Sequence, residues 1–277
     1  MLGLSNQGNT CWLNSLIQGF STLDNFENHL LLYKDKPLHG LVYNIIKLLK
    51  EGDSSNIEEK NRVDEYMSYL IKIILNKYKH RDSNSGYMIP HDSEEGWMIL
   101  IDILHEEIQM PIDKNIKTLE KYKQLLLYNS WTYSKIISLF YGQKYWKCND
   151  GEERYEPYTI IYLDRIDNTD VVVDELLKEY FLKNQIISIP KILSISIVSP
   201  IRRCQCNISL EFGIQVTNKV NRFLCKSIII HNGGHYYSFI KRDNDWYIVD
   251  DSNVIPIDKD IKKLSIIPRL IVYELIE

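Results

Sequence analysis

Cys11, His235 and Asp250 are the residues of this chain whose types could together perform nucleophilic chemistry. Cys11 lies where a polar, Gly-containing loop, Gly3–Thr10, meets a helical stripe of Trp12, Leu13, Leu16, Ile17 and Phe20. The N–H groups and dipole at a helix start favour an anion there, and the thiolate is the reactive form of cysteine. A small buried hydrophobe is the plain alternative for a lone cysteine. A thiolate nucleophile needs a proton-transfer partner, usually a histidine oriented by a third group. Gly233-Gly234-His235-Tyr236-Tyr237-Ser238-Phe239, followed by Trp246-Tyr247-Ile248-Val249-Asp250-Asp251, offers both on neighbouring predicted strands. With Asp243-Asn244 as a two-residue hairpin loop, Arg242 pairs with Asp245 and Asp250 lies opposite Tyr237. Tyr237 shares a sheet face with His235, so Asp250 is a diagonal neighbour of the histidine, roughly 7–8 Å away between backbones. An edge-strand histidine beside a solvated strand end is the plain reading of the same residues. Gly233 and Gly234 leave room for a substrate backbone to approach.

The elements that must position these residues fall into two halves. Apolar periodicity predicts helices over Cys11–Phe20, Leu38–Leu49, Val63–Tyr78 and Trp97–Glu107, with the polar run Glu51–Lys60 as a break. From about Trp146 short apolar runs predict strands over Tyr158–Leu163, Ile186–Ile189, Ile192–Val198, Leu210–Val216, Cys225–His231, Tyr236–Arg242, Trp246–Asp250 and Leu270–Leu275. Helices first and an antiparallel sheet second define an α+β chain. There is no repeat, low-complexity tract or long linker, so 277 residues read as one domain or two closely packed lobes.

Composition narrows the functional classes. A net charge of −4, from 33 basic and 37 acidic residues, calls for neither nucleic acid nor a membrane surface. The most apolar window, Trp97–Leu104, is too short to span a bilayer and contains Asp102. A polar stretch from Gly3 argues against a signal peptide, and Leu2 against N-myristoylation. Five scattered cysteines form no disulfide framework, so a reducing, intracellular setting is expected. Cys148 stands alone, Cys204-Gln205-Cys206 has the wrong spacing for a zinc ribbon and Cys225 falls in a predicted strand. His80, His91 and His105 have no metal-ligand spacing either, so no metal or other cofactor is expected.

Gly3-Leu4-Ser5-Asn6-Gln7-Gly8-Asn9-Thr10-Cys11-Trp12-Leu13-Asn14-Ser15 strongly resembles the cysteine box of ubiquitin-specific proteases, with Trp12 where Tyr is more usual. The Gly234-His235-Tyr236 strand and the Asp250-Asp251 pair resemble the histidine box of the same family, in the family's order. The resemblance implies a papain-like cysteine peptidase fold, with a helical thumb over about residues 1–110 and an antiparallel β palm with reduced fingers over about 111–277. It implies Cys11 as nucleophile, His235 as base, Asp250 as the orienting acid and Asn6 as an oxyanion donor. Asn6 is equally suited to a turn bonded to its own backbone, and the division of work between Asp250 and Asp251 stays open.

His91-Asp92-Ser93-Glu94-Glu95-Gly96-Trp97 resembles a degraded form of the family's Gln-Asp-Ala-x-Glu-Phe motif; Asp92 and Glu95 match, whereas His91, Ser93 and Gly96 depart. The resemblance implies that Asp92 and Glu95, with Gly234 and Tyr236, hold the extended basic tail of ubiquitin. The same residues read as a capping box, Asp92 as N-cap and Glu95 reaching back. The stretch Ile112–Pro190 matches weakly and is shortened. The implied partners are ubiquitin and ubiquitinated proteins, in cytoplasm or nucleus. A peptidase for another ubiquitin-like modifier, a non-catalytic ubiquitin-binding scaffold and a thiol acyltransferase remain as alternatives.

Overall fold

The helix α1 (Cys11–Phe20) is buried along its whole length, and the rest of the fold is arranged around it. The computed structural model describes residues 1–79, 92–111, 132–147, 153–164, 170–198, 205–216, 219–258 and 261–276. Helices α2 (Asp24–Leu32), α3 (Pro37–Glu51), α4 (Ile57–Lys79), α5 (Ser93–Ile108), α6 (Lys135–Phe140) and α7 (Val173–Lys183) follow in order. α4 starts six residues earlier than predicted, because Asn56 Oδ1 accepts the N–H groups of Glu58 and Glu59 and caps it inside the polar run. α2, α6 and α7 were not expected, and α6 and α7 lie beyond the predicted helical lobe.

The main sheet is built from β1 (Ile160–Asp164), β2 (Ile192–Val198), β3 (Glu211–Val216), β4 (Lys219–Asn232), β5 (His235–Arg242), β6 (Asp245–Asp250), β7 (Asn253–Ile257) and β8 (Leu270–Leu275). Its order is β7-β6-β5-β4-β8-β2-β1, with β3 also pairing β4. All these pairs are antiparallel except β1–β2, where the prediction of a purely antiparallel sheet is corrected. A parallel pair needs a long crossover, and α7 lies in the chain between the two strands. The predicted strand Tyr158–Leu163 also divides at Thr159. Tyr158 closes the strand Glu153–Tyr158, which pairs with Gly142–Lys147 instead.

Adjacent residues on the central strands serve different cores. Leu270 and Val272 of β8 join α1–α6 in one cluster, whereas Ile271 and Tyr273 pack with α7 and β3 in the other. A strand covered on both faces reads as a continuous apolar run, which is what Leu270–Tyr273 shows. On the helical side Phe20 stacks on Trp97 at 4.7 Å, with Phe26 tilted against it and Phe140 meeting it edge-on. Gly19 lets α1 sit directly on β4, since a Cβ there would come 2.8 Å from Ser227 Oγ. Among the described residues no helix is long and apolar enough to cross a membrane.

Two helices are capped by acids distant in sequence. Glu107 on α5 accepts the N–H groups of Leu38 and His39 at 2.7 and 3.0 Å, at the start of α3. Glu274 on β8 accepts those of Asp24 and Asn25 at 3.2 and 2.6 Å, and pairs with Lys226 at 3.2 Å. Removing one member of such a buried network leaves uncompensated groups behind, so Glu274→Ala should cost about 3 kcal/mol, read as a lower urea midpoint.

His39 Nδ1 also bonds Glu107 at 2.6 Å, and its Nε2 meets His29 Nε2 at 3.2 Å. Neutral rings fit this chain, with His29 donating to His39 and His39 to the carboxylate. Burial pushes His29 down to about 3 from 6.5 and holds His39 below its ordinary value despite Glu107. A depressed histidine contributes stability that is complete above 6.5 and is lost as pH falls toward 3. The urea midpoint should therefore drop across that window, and the drop should flatten in His29→Gln, which keeps a donor toward His39.

Candidate active site

Cys11 is the first residue of α1 and is 7% exposed. At that position its N–H has no intrahelical carbonyl to bond. The loop before it is held by side chains. Asn6 Oδ1 accepts the N–H groups of Gly8 (3.1 Å) and Thr10 (3.2 Å), and the Gln7 N–H donates to Thr10 Oγ1 at 2.9 Å. Gln7 and Ser5 fasten the loop to α4 through Asp64 and Ser68. Gly8 and Asn9 turn the chain at φ of +92° and +55°, a region open to Gly and tolerated by Asn.

His235 opens β5 directly after the turn Gly233-Gly234, with φ of +62° and +94°. Asn232 pairs with His235 across it, so this is a two-residue hairpin of the primed kind. A Cβ at either glycine would meet nothing within 4 Å. The backbone turn therefore accounts for both glycines, and the space above them is open. β5 and β6 pair in the predicted register, from Arg242 with Asp245 to Ser238 with Val249. Beyond that register, His235 Nε2 and Asp250 Oδ1 meet at 2.6 Å, both side chains nearly half exposed. With Nε2 occupied, Nδ1 is the ring nitrogen left for proton transfer.

Asp251 joins the two halves. It stands at φ +49° in the β6–β7 turn, and its Oδ2 accepts from Asn6 Nδ2 at 3.0 Å while Oδ1 accepts from Asn14 Nδ2 at 2.8 Å. Asn14 sits one helical turn beyond Cys11 and also holds the Ser5 carbonyl at 3.2 Å. Leu4 N–H bonds the Asp251 carbonyl at 2.9 Å, and Gly3 permits that approach, since a Cβ there would lie 2.4 Å from Ser252 O. One side-chain oxygen or nitrogen from each of His235, Asp250 and Asp251 lies within 4.8 Å of the others. Of the readings of Asn6, the turn is seen directly: its carbonyl accepts from Gly8 and Thr10, while its amide donates to Asp251.

At α5, Asp92 is the N-cap and accepts the Glu94 N–H at 2.8 Å. The cap bond comes from Glu94, and no described residue hydrogen-bonds the Glu95 carboxylate, which is half-buried. Asp92 is also paired with Arg269 Nη2 and Nε, at 2.5 and 3.2 Å, and Arg269 Nε lies 3.1 Å from Glu94. Burial raises the Glu94 carboxyl above its ordinary value, opposed by the Ser196 hydroxyl at 2.6 Å and by Arg269. Tyr236 is 5% exposed and stacks on His231 at 4.3 Å, so its ring belongs to the core. Arg269 and Asn14 were not singled out from the sequence; neither carries a local spacing signal. His80, His91, Cys148 and Cys204 lie outside the described residues, whereas Cys206 and Cys225 are buried strand residues, the Cys225 thiol pushed up by burial.

A helix that delivers a cysteine to a sheet carrying a His–Asp pair is the papain-like arrangement, and comparison with known proteins places the chain within it. The profile of the ubiquitin carboxyl-terminal hydrolase family matches residues 2–273, and the chain belongs to that family. It is 31% identical over 120 residues to ubiquitin carboxyl-terminal hydrolase 37 of Homo sapiens, covering 42% of this chain and 11% of that protein. Against ubiquitin carboxyl-terminal hydrolase 32 of Drosophila melanogaster, identity is 25% over 185 residues, covering 58% and 10%. The chain thus spans about a tenth of the length of these relatives. Among solved structures it matches the SAGA Ubp8/Sgf11/Sus1/Sgf73 DUB module at TM-score 0.72 and 17% identity, covering 100% of this chain and 68% of that one. The same module bound to ubiquitin aldehyde gives 0.71 and 17%, covering 100% and 70%. These likenesses establish the α+β fold.

Two departures from the family pattern are physically one. A Cβ on Gly96 would lie 2.5 Å from Trp12 Cζ3, so the larger aromatic after Cys11 occupies space that a side chain at 96 would need. Gly96→Ala should therefore cost about 1–3 kcal/mol by overpacking. Trp12→Tyr, which removes the clashing atom, should recover most of that loss. A denaturation double-mutant cycle reads the coupling, expected at roughly 1–2 kcal/mol.

Proposed function

We propose that residues 1–277 act as one thiol-dependent deubiquitinating domain that hydrolyses the isopeptide or peptide bond after the terminal glycine of ubiquitin. The observation that carries this reading is the His235–Asp250 pair, tied through Asp251 to the loop that presents Cys11. Membership in the ubiquitin carboxyl-terminal hydrolase family supports the substrate, as does the fold shared with a module bound to ubiquitin aldehyde. The site of action in this reading is a reducing compartment, cytoplasm or nucleus, and the partners are ubiquitin and ubiquitinated proteins.

Asp250 accepts Nε2–H and so keeps the Nδ1 lone pair basic. Nδ1 takes the Cys11 proton as sulfur attacks the glycine carbonyl. The oxyanion leans on the Cys11 N–H and on the Asn6 amide hydrogen that Asp251 does not use. The imidazolium then protonates the departing amine, and a water activated by His235 cleaves the thioester. Asp251, by this account, positions Asn6 and does not meet the substrate. Asp92, Glu95 and Gly234 border the tail cleft, and Tyr236 supports it from beneath. A peptidase for a different modifier is the second reading, favoured by the ion pair that already occupies Asp92.

A ubiquitin bearing a C-terminal thiol-reactive electrophile should form an adduct with the native protein and none with Cys11→Ala. Absence of an adduct in the folded native protein overturns the reading. Asp250→Asn should lower kcat by roughly 10²–10⁴, and Asn6→Ala by about 10²–10³. Asp251→Ala should resemble Asn6→Ala, and the double variant should lose little more than either, because the two act as one unit.

A further inference from the structure

Arg269 is a cation paired with Asp92, the acid that the proposed function assigns to the tail cleft. It leaves the start of β8, where its own N–H is fixed to the Ile229 carbonyl at 2.8 Å, and its guanidinium reaches α5 to bond Asp92 through two nitrogens and Glu94 through one. A planar guanidinium held by two nitrogens on one carboxylate is a directional, charge-assisted contact. The chain neighbours of Cys11 and His235 lie near this cluster. Gly96, in the first turns of α5, lies against Trp12, the neighbour of Cys11. Tyr236, the neighbour of His235, lies within electrostatic reach of the guanidinium. Asp92 keeps 37% of its side chain exposed and Arg269 keeps 22%, so the pair is reachable from solvent and is not sealed in the core.

Resting on the deubiquitinase reading above, we infer that Arg269 is a specificity-determining residue: by satisfying Asp92 from within, it makes the cleft accept a modifier tail whose residue facing α5 is uncharged. A basic tail side chain arriving at Asp92 must displace a cation already seated there, or approach Asp92 with a like charge beside it. Either route removes the advantage that a lone acid would give a basic tail. An uncharged tail meets no such competition. Discrimination by an unfavourable charge, as well as by attraction, is a general route to specificity.

The test uses ubiquitin carrying a fluorogenic C-terminal amide, with its native tail and with the tail arginines replaced by alanine. The native enzyme should hydrolyse the two with kcat/KM values within about threefold of each other. Arg269→Gln, which uncovers Asp92, should prefer the native basic tail by roughly tenfold, with the change carried by KM. Asp92→Asn preserves the N-cap but removes the acid's charge, leaving Arg269 paired with Glu94 alone. It should shift preference the opposite way, toward the neutral tail, and it tests the inference even if Arg269→Gln fails to fold. If both variants keep the native enzyme's tail preference, Arg269 only fastens α5 to β8 and the inference is overturned. If the folded native enzyme neither hydrolyses either tail nor reacts with the electrophilic probe, the deubiquitinase reading falls, and the inference with it.

Discussion

The Asp251 carboxylate is the contact on which the candidate site depends. Its two oxygens accept the amides of Asn6 and Asn14, residues 245 and 237 positions away in the chain. Hydrogen bonds to an ionised acceptor are roughly twice as strong as neutral ones. They hold Asp251 in a left-handed conformation that a non-glycine residue adopts only at some cost. Asp250 is thereby placed at the end of β6, the Asn6 amide is held on Asp251 while its carbonyl shapes the cysteine loop, and α1 is anchored one turn beyond Cys11. Cys11, His235 and Asn6 thus share one short covalent and hydrogen-bonded circuit.

That circuit is precise because it stands on rigid elements. α1 is buried along its full length and packs against β4, β5 and β6. The close approaches occur where side chains are missing or small: Gly3 at the Asp251-Ser252 turn, Gly19 at Ser227 and Gly96 at Trp12.

Acids placed by tertiary structure also organise the helix starts. The N-cap residues Thr10, Leu23 and Lys36 make no side-chain cap bond to α1, α2 or α3. Glu274 serves α2 and Glu107 serves α3, so each helix registers its position against a distant element. α5, by contrast, combines a local cap, Asp92, with a distant cation, Arg269. The same carboxylate therefore caps the start of a helix and pins the chain entering β8 to the helical lobe.

Some of this was legible in the chain itself. The helix after Cys11, the Asp243-Asn244 hairpin and the diagonal placing of Asp250 beside His235 follow from periodicity and two-residue turn geometry, which act over a few residues. Asn6, Cys11 and Asp251 were identifiable as types in consecutive motifs. Their connection was not, because Asn6 and Asp251 meet only when the chain ends are brought together. The short helix α2 and the parallel pair β1–β2 escaped for the same reason: one needs Glu274 from β8, and the other is decided by where α7 crosses. Arg269 follows Pro268 at a strand start and looks like any surface cation. Only the fold, by bringing β8 against α5, makes it the partner of Asp92. Local chemistry selects the reactive groups, whereas the charges that surround them come from residues far apart in sequence and are set by packing.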